Sequence, residues 1–389
     1  MKKTGRLPGS TLTARVVCAV CFLAFSFLWL FWFQADLLAV AQHVLSGGVT
    51  HYDRTIGAVI ITVVLLLLQL AVHAVTGLSR RTHALTYGPS FLALAFLSDV
   101  SVSSGRGVEV GRLWWLLAIL FALWIGAVWL ARQMLPFNDG DKQPTGLFSA
   151  RTWINLVQMA AMMLFVAVIG NTDAVLHFRA HAETALIKGD NREAMRVGWE
   201  SLETDRQLTM LRAFALSREG LLGEKLFCYP LAGSGDDLLP MRTEPLLLPA
   251  DSIWRHLGAK PAFPMRANTY YHLLEYDSLA TPAVADYVLS GALINRDLKA
   301  FVSLLPRYYG SSSLTTHHSS LPRHYREALV LYKHLCPQAL SGLSDKPLEE
   351  EWQQMEQLRA QYADNTEQRL QMLENYRDTY WYYYLTRER

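Results

Sequence analysis

The residues of this 389-residue chain that could do chemistry are its four cysteines and a few histidines set beside acids. Cys18 and Cys21 form a C-x-x-C pair inside an apolar run, where a thiolate is costly, so packing is expected there rather than a redox or metal centre. Cys228 and Cys336 stand in a more polar half and could pair in an oxidising compartment, although two thiols define no framework. His177 and His181 share one helical face with Glu183 in reach, and no further ligand is indicated. His324-x-x-Glu327 is half of an H-E-x-x-H zinc motif. His317-His318 lies in the Ser/Thr-rich run Tyr309–Pro322, which would hold ligands poorly. Ala232-Gly233-Ser234-Gly235-Asp236 lacks the G-x-S-x-G spacing and follows no strand, so a simple turn is expected. Asp236-Asp237 reads as a pair of solvated acids. Phosphate-cradling loops are absent. No catalytic residue, cofactor or metal site is expected.

The elements around these residues fall into two classes. Residues 1–170 carry 12 Lys/Arg and 6 Asp/Glu between long apolar runs, whereas residues 171–389 carry 24 and 28, evenly spread. Neither half has the concentrated basic face that binding a phosphate backbone requires, so nucleic acid is excluded as a partner. A lipid-spanning helix needs about 20 mostly apolar residues. Residues 16–33, 56–76, 113–131 and 153–170 meet that length. Residues 84–100 form a weaker fifth segment, with Pro89 near its start, Asp99 near its end and a short apolar core, Phe91–Leu97. That segment either spans with a kink or re-enters.

Positive charge arbitrates between the two. Five spans with an inside N-terminus place Lys2, Lys3, Arg6, Arg15, Arg80, Arg81, Arg132, Lys142 and Arg151 inside. Only Arg54, Arg106 and Arg112 are then outside, nine against three. Re-entry gives eight against four and turns the second half inside. The first count favours five spans, a cytoplasmic N-terminus and an extracytoplasmic C-terminal region in a bacterial inner membrane. Ala39-Val40-Ala41 resembles a signal cleavage site, but the preceding run is too long and too aromatic, which favours an uncleaved span.

No charged residue falls at mid-span. The polar residues there are Gln69, His73, Asn155 and Gln158. At about 1.5 Å per residue, His73 and Asn155 lie at similar shallow depth, with Gln69 and Gln158 a turn deeper. Hydrogen bonding between the second and fifth spans is expected of them, a proton relay being disfavoured by the lack of an acid. Ala118, Ala122 and Gly126 recur every four residues along the fourth span, a small-residue stripe suited to close helix approach within the chain or in a homo-oligomer.

From residue 171 the pattern is amphipathic helix. Two helices are expected in His181–Asp205, reversed at Gly189-Asp190, with Ala194 giving close approach and Leu202 and Asp205 ending the second helix. This stretch resembles a tetratricopeptide repeat. It departs from that pattern in having Phe178, Ala182 and Ala185 in the first helix and no terminal proline. Asn295–Ala300 and Arg323–Ala328 repeat the cadence more weakly. Ala194 to Ala300 is 106 positions, near three 34-residue periods, but Ala300 to Ala328 is only 28, so the array is degenerate. The resemblance is best over 177–229 and weak over 265–335. It implies an α-solenoid that binds a protein or peptide, and it specifies no ligand. Tyr229–Ser252, with four prolines, reads as a loop whose Leu246-Leu247-Leu248 tucks against the helices or a membrane surface. From Pro347 the chain reads as helical, with Trp352, Met355, Leu358 and Tyr362 on one stripe and an aromatic end, Trp381–Tyr384, capping the core.

The expected architecture is all-α: a transmembrane bundle over 1–170 followed by a helical-repeat domain over 171–389. The whole resembles uncharacterised bacterial membrane proteins, which carry no activity over. The leading expectation is a membrane-anchored scaffold whose extracytoplasmic domain binds a protein or peptide. The alternative is an enzyme or accessory subunit for envelope or lipid-linked substrates, with Asp36, Asp53, Asp99, Glu109 and the 229–252 loop at the outer membrane surface. A transporter would need a water-lined path, and none is visible in the sequence.

Overall fold

The computed structural model describes residues 9–78, 80–102, 108–110, 113–134, 149–241, 244–310, 321–338, 340, 344–362 and 365–386. Lys2, Lys3, Arg6, Arg106, Arg112, Lys142, His317 and His318 lie outside them. The chain divides into two compact units, Met1–Asp173 and Ala174–Arg389, close to the division in composition.

In the first unit, four helices are long and apolar enough to cross a membrane: Leu12–Phe33, Arg54–Thr76, Trp114–Gln133 and Ala150–Ile169. Their cores run as α1 (Gly9–Leu28), continued by a π-helical turn at Trp29–Phe33, α2 (Ala35–Leu45), α3 (Arg54–Thr76), α4 (Gly88–Ser98), α5 (Trp114–Met134) and α6 (Ala150–Ile169). The expected fifth segment, 84–100, is a composite. A 3-10 helix, Arg80–Tyr87, leads into α4, which at 11 residues is about 16 Å long and cannot cross a bilayer by itself.

The composite nevertheless runs beside every long helix. Against α3 it is antiparallel: Thr86 accepts from Gln69 Nε2 at 2.9 Å, and Ser90 Oγ donates to Leu65 O at 2.8 Å. Farther on, Ala93, Phe96 and Leu97 line one cavity with Ile60, Ile61 and Val64. Against α1 and α6 it is parallel. Phe22 meets Phe91, Trp29 Nε1 donates to Ser98 Oγ at 2.8 Å, Asn155 Oδ1 accepts from Ala84 N, and Asn171 N donates to Ser98 O. Against α5 it is antiparallel. Leu113 N donates to Asp99 near the start of α5, Trp124 Nε1 donates to Leu85 O, and Arg132 near its end donates to Thr76 O. Five segments therefore alternate in direction. Gly88 sits where α4 meets α5, and a Cβ there would fall 2.3 Å from the Trp124 ring, so glycine is needed for that approach.

One departure from an all-helical chain is a small antiparallel hairpin, β1 (Val100–Val102) with β2 (Val108–Val110). The face of α5 holding Ala118, Ala122 and Gly126 is exposed, so the small-residue stripe is not used inside this unit.

The second unit is built from α7 (Ala174–Ile187), α8 (Asn191–Arg196), α9 (Arg206–Arg218), α10 (Leu222–Lys225), α11 (Ala250–Leu257), α12 (Ala267–Tyr276), α13 (Ala283–Ile294), α14 (Leu298–Tyr309), α15 (Arg323–Leu335), α16 (Lys346–Gln361), α17 (Asn365–Tyr376) and α18 (Tyr380–Thr386). Its core is continuous from Ala182 to Tyr383. Tyr380 and Trp381 are fully buried in it.

Candidate functional site

Of the four mid-span polar residues, Gln69, His73 and Asn155 meet the 3-10 segment Arg80–Tyr87. Gln69 reaches Thr86 from α3, and Asn155 accepts from the Ala84 amide from α6 while donating to Arg151 O at 2.8 Å. The His73 and His83 rings meet edge to face at 5.1 Å. Gln158 Oε1 is buried with no hydrogen-bond partner among the described residues. The expected direct bonding between the second and fifth spans is thus replaced by side chains that hold an interposed backbone. Such a backbone can sit among spans only where protein satisfies it.

The carboxylates grouped as a possible surface site have separate local duties. Asp53 caps α3 through the Thr55 and Ile56 amides, Asp36 pairs with Arg54 at 3.2 Å, and Asp99 accepts from Leu113 N at 2.6 Å. Glu109 lies in β2 opposite Ser101. Among the described residues, no group of three His, Cys, Asp or Glu side chains is arranged to hold a metal.

In the second unit, Gly189 and Asp190 form the expected reversal: Gly189 is left-handed at φ +79°, and Asp190 caps α8 by accepting from Glu193 N. Arg296-Asp297 builds the same turn, with Arg296 at φ +56° and Asp297 accepting from Ala300 N. Asp190 and Asp297 also share backbone angles, φ −86°, ψ 78° and φ −88°, ψ 74°. In each turn the Asp amide donates back to a carbonyl of the preceding helix, Ala185 and Ala292, which satisfies a helix end.

Two expectations fail here. The second helix of the opening pair stops at Arg196 because Gly198 turns left-handed at φ +64°; Leu202 is exposed, and Asp205 caps α9 instead. A side chain at Gly198 would meet Phe178 and Arg212 at 2.9 Å. Ala328 lies fully buried within α15, after the Pro322 cap, and follows no reversal of the 189–190 kind. Ala194 is buried in α8, and Ala300 is half-buried in α14. Glu183 points away from His181, which pairs with Glu193 at 3.3 Å.

Three buried ions organise this unit. Glu183 accepts from the successive amides of Leu246, Leu247 and Leu248, which draws the 229–252 excursion onto α7. Burial pushes its carboxyl up, against the pull of those amides and Arg179. Arg212 donates to the carbonyls of Val197, Gly198 and Pro230 and stacks over the Tyr229 ring at 4.9 Å; burial lowers its pKa to about 10. Ser234 and Asp237 form a capping box, and Asp236 accepts from Ala267 N, so neither acid is merely solvated.

The third ion is Glu327, and it belongs to a constellation that sequence reasoning did not assemble. His324 and Glu327, one turn apart on α15, are both fully buried. Glu327 Oε2 lies 3.0 Å from His324 Nδ1 and accepts from Tyr380 N at 2.7 Å, while Oε1 accepts from Arg323 Nε at 2.7 Å. The opposite ring nitrogen, Nε2, lies 3.7 Å from Cys228 Sγ, and the thiol also donates to Asp378 O at 3.7 Å. A carboxylate can only accept, so Nδ1 carries a proton, and Nε2 is the ring nitrogen turned toward the thiol. Cys228 is half-buried and lines a cavity of about 290 Å³ with Leu202, Phe227, Leu231, Arg377 and Tyr383. Cys336 is exposed, and neither thiol is in a disulfide.

Residues 268–387 match DUF6057, a family of unknown function. The match covers under a third of the chain; it includes His324 and Glu327 but not Cys228. No curated protein and no solved structure matches the chain. The one sequence signal for the constellation was His324-x-x-Glu327 itself, since a three-residue step puts both side chains on one helical face.

Proposed function

We propose that the protein is a membrane-anchored adaptor. Its first unit crosses a bacterial inner membrane five times, and its second unit binds a protein or peptide partner on the extracytoplasmic side. The count rests on the alternating course of the five segments, with the polar backbone of Arg80–Tyr87 shielded by protein. The orientation rests on the nine-to-three division of positive residues. The apolar side chains that α3 exposes, such as Val59, Val63 and Leu67, then face lipid.

The observation that carries the binding role is the surface of α12. Tyr276 is 87 % exposed, Leu273 is 42 % exposed, and both line an open groove of about 570 Å³ with Thr269, His272, Glu275 and Arg307. Large apolar side chains set together in a groove with a polar rim are what a peptide's apolar anchor requires. The Arg307–Glu275 pair at 2.8 Å and the bond from Tyr308 Oη to Glu275 at 2.5 Å hold the rim in place. A photo-crosslinking residue at Tyr276 in intact cells tests this reading: discrete protein adducts are expected. Adducts no more abundant than those from the exposed position Arg192 would refute it. A reporter fused after Arg389 tests the compartment; activity only in the cytosol would overturn the orientation.

A further inference from the structure

Nothing in the adaptor reading uses Cys228, His324 and Glu327, yet their order is that of a nucleophile, a base and an orienting carboxylate. We propose that these three residues form a thiol site that accepts an apolar acyl group from an ester or thioester. The geometry supplies each role. Glu327, held by Arg323 and the Tyr380 amide, fixes the His324 tautomer and ring plane. His324 offers Nε2 to the sulfur. Both residues are fully buried, and packing on all sides holds the ring in place. The thiol opens on a cavity walled by Leu202, Phe227, Leu231 and Tyr383, which suits an apolar chain, and Arg377 is the one cation among its described lining residues.

Burial, with Asp378 and Glu327 nearby, pushes the Cys228 thiol up to about 12. The resting site therefore holds a neutral thiol, and the base must act as the carbonyl is attacked, as it does for a hydroxyl nucleophile. In the first step the Sγ proton moves to His324 Nε2 as the Sγ–carbon bond forms. The carbon–oxygen or carbon–sulfur bond to the leaving group then breaks, and the leaving group takes the proton from Nε2. In the second step water gives a proton to Nε2 and its hydroxyl to the acyl carbon. The carboxylic acid departs, and Sγ recovers the proton.

The full-length protein in detergent micelles with p-nitrophenyl octanoate tests the proposal. A burst of nitrophenolate close to one per chain is expected, with the octanoyl adduct on the peptide that carries Cys228. Cys228→Ala abolishes the burst, Cys336→Ala leaves it unchanged, and His324→Gln slows acylation about 100-fold or more. A burst that survives Cys228→Ala, an adduct confined to other residues, or a folded His324→Gln variant acylated at the parent rate overturns the proposal. If His324→Gln does not fold, the parent protein decides. Faster acylation of Cys228 than of the more exposed Cys336 supports the site; the reverse order refutes it.

Discussion

The two units bury polar groups by opposite means. Along its long helices the first unit relies on neutral side chains: Gln69, Ser90, Asn155 and Trp124 each bond a backbone or hydroxyl group of the composite segment or a neighbouring helix, and its buried carboxylate, Asp99, stands at a helix end. The helical unit uses ionisable side chains, Glu183, Arg212 and Glu327, each fully buried and each tying distant stretches of chain together. The difference follows from what surrounds each unit. An ion among lipid-facing helices has no aqueous alternative and raises the cost of insertion, so neutral donors and acceptors suffice there. In a unit that folds from water, a buried ion can be offset by several directed hydrogen bonds, and removing one partner strands the others.

That contrast can be broken by mutation. The largest effect is expected for Glu327→Ala, which leaves His324 Nδ1 and the Tyr380 amide without this acceptor and Arg323 with Glu351 alone; about 3–5 kcal/mol is expected by analogy with broken buried pairs. Thermal melts of the full-length protein in detergent, followed by far-UV circular dichroism, check it. A melting temperature equal to the parent's would show that the ion is dispensable.

Acid sharpens the comparison within the helical unit. Burial alone would raise the Glu327 carboxyl, but His324, Arg323 and the Tyr380 amide outweigh it and hold it below its ordinary 4.5. Its stabilising contribution is therefore present above about pH 4.5 and lost as pH falls through the folded value. Glu183 is raised, so its contribution is full below about pH 4.5 and lost as pH rises through the folded value. The deficit of Glu327→Gln relative to parent should grow with pH, and that of Glu183→Gln should shrink. Parallel pH dependence of the two variants would contradict these opposite signs.

Smaller effects are expected in the membrane unit and at the turns. Asn155→Leu removes the acceptor for the Ala84 amide, and about 1 kcal/mol is expected, in line with hydrogen bonds between membrane helices. A loss as large as that of Glu327→Ala would erase the contrast between the units. Asp190→Ala and Asp297→Ala each remove one helix cap, costing about 1 kcal/mol. Because the two turns share one geometry, their melting shifts should agree; a difference of several degrees would show that the likeness is superficial.

The long apolar runs and the Gly189-Asp190 reversal were legible because each is set by neighbours in sequence. Residues 80–87 were not. Arg80, Arg81, Thr82 and His83 give no helical or spanning signal, and Gln69, Trp124 and Asn155, far away in the chain, help hold residues 80–87 as a 3-10 helix. Arg296 was equally obscure, since arginine gives no hint of a left-handed turn. The helix expected to reach Asp205 was over-extended because an apolar cadence outlasted the break at Gly198. Half of the candidate site stood in the His324–Glu327 spacing. Its nucleophile lies 96 positions upstream, and tertiary packing, including Phe227 against His324, brings it near.

The π-helical turn at Trp29–Phe33 has a consequence of its own for this unit. Such a turn admits one surplus residue, and each residue advances a helix by about 100°, so everything beyond it is rotated by that amount. Deleting Trp32, 64 % exposed, would restore the regular winding and swing α2 about its axis. Ala35, Leu37, Leu38 and Ala41, now turned inward, would be carried off the interior face while the first span kept its place. The surplus residue thus acts as a phase adjuster, letting the helices before and after it present differently oriented faces.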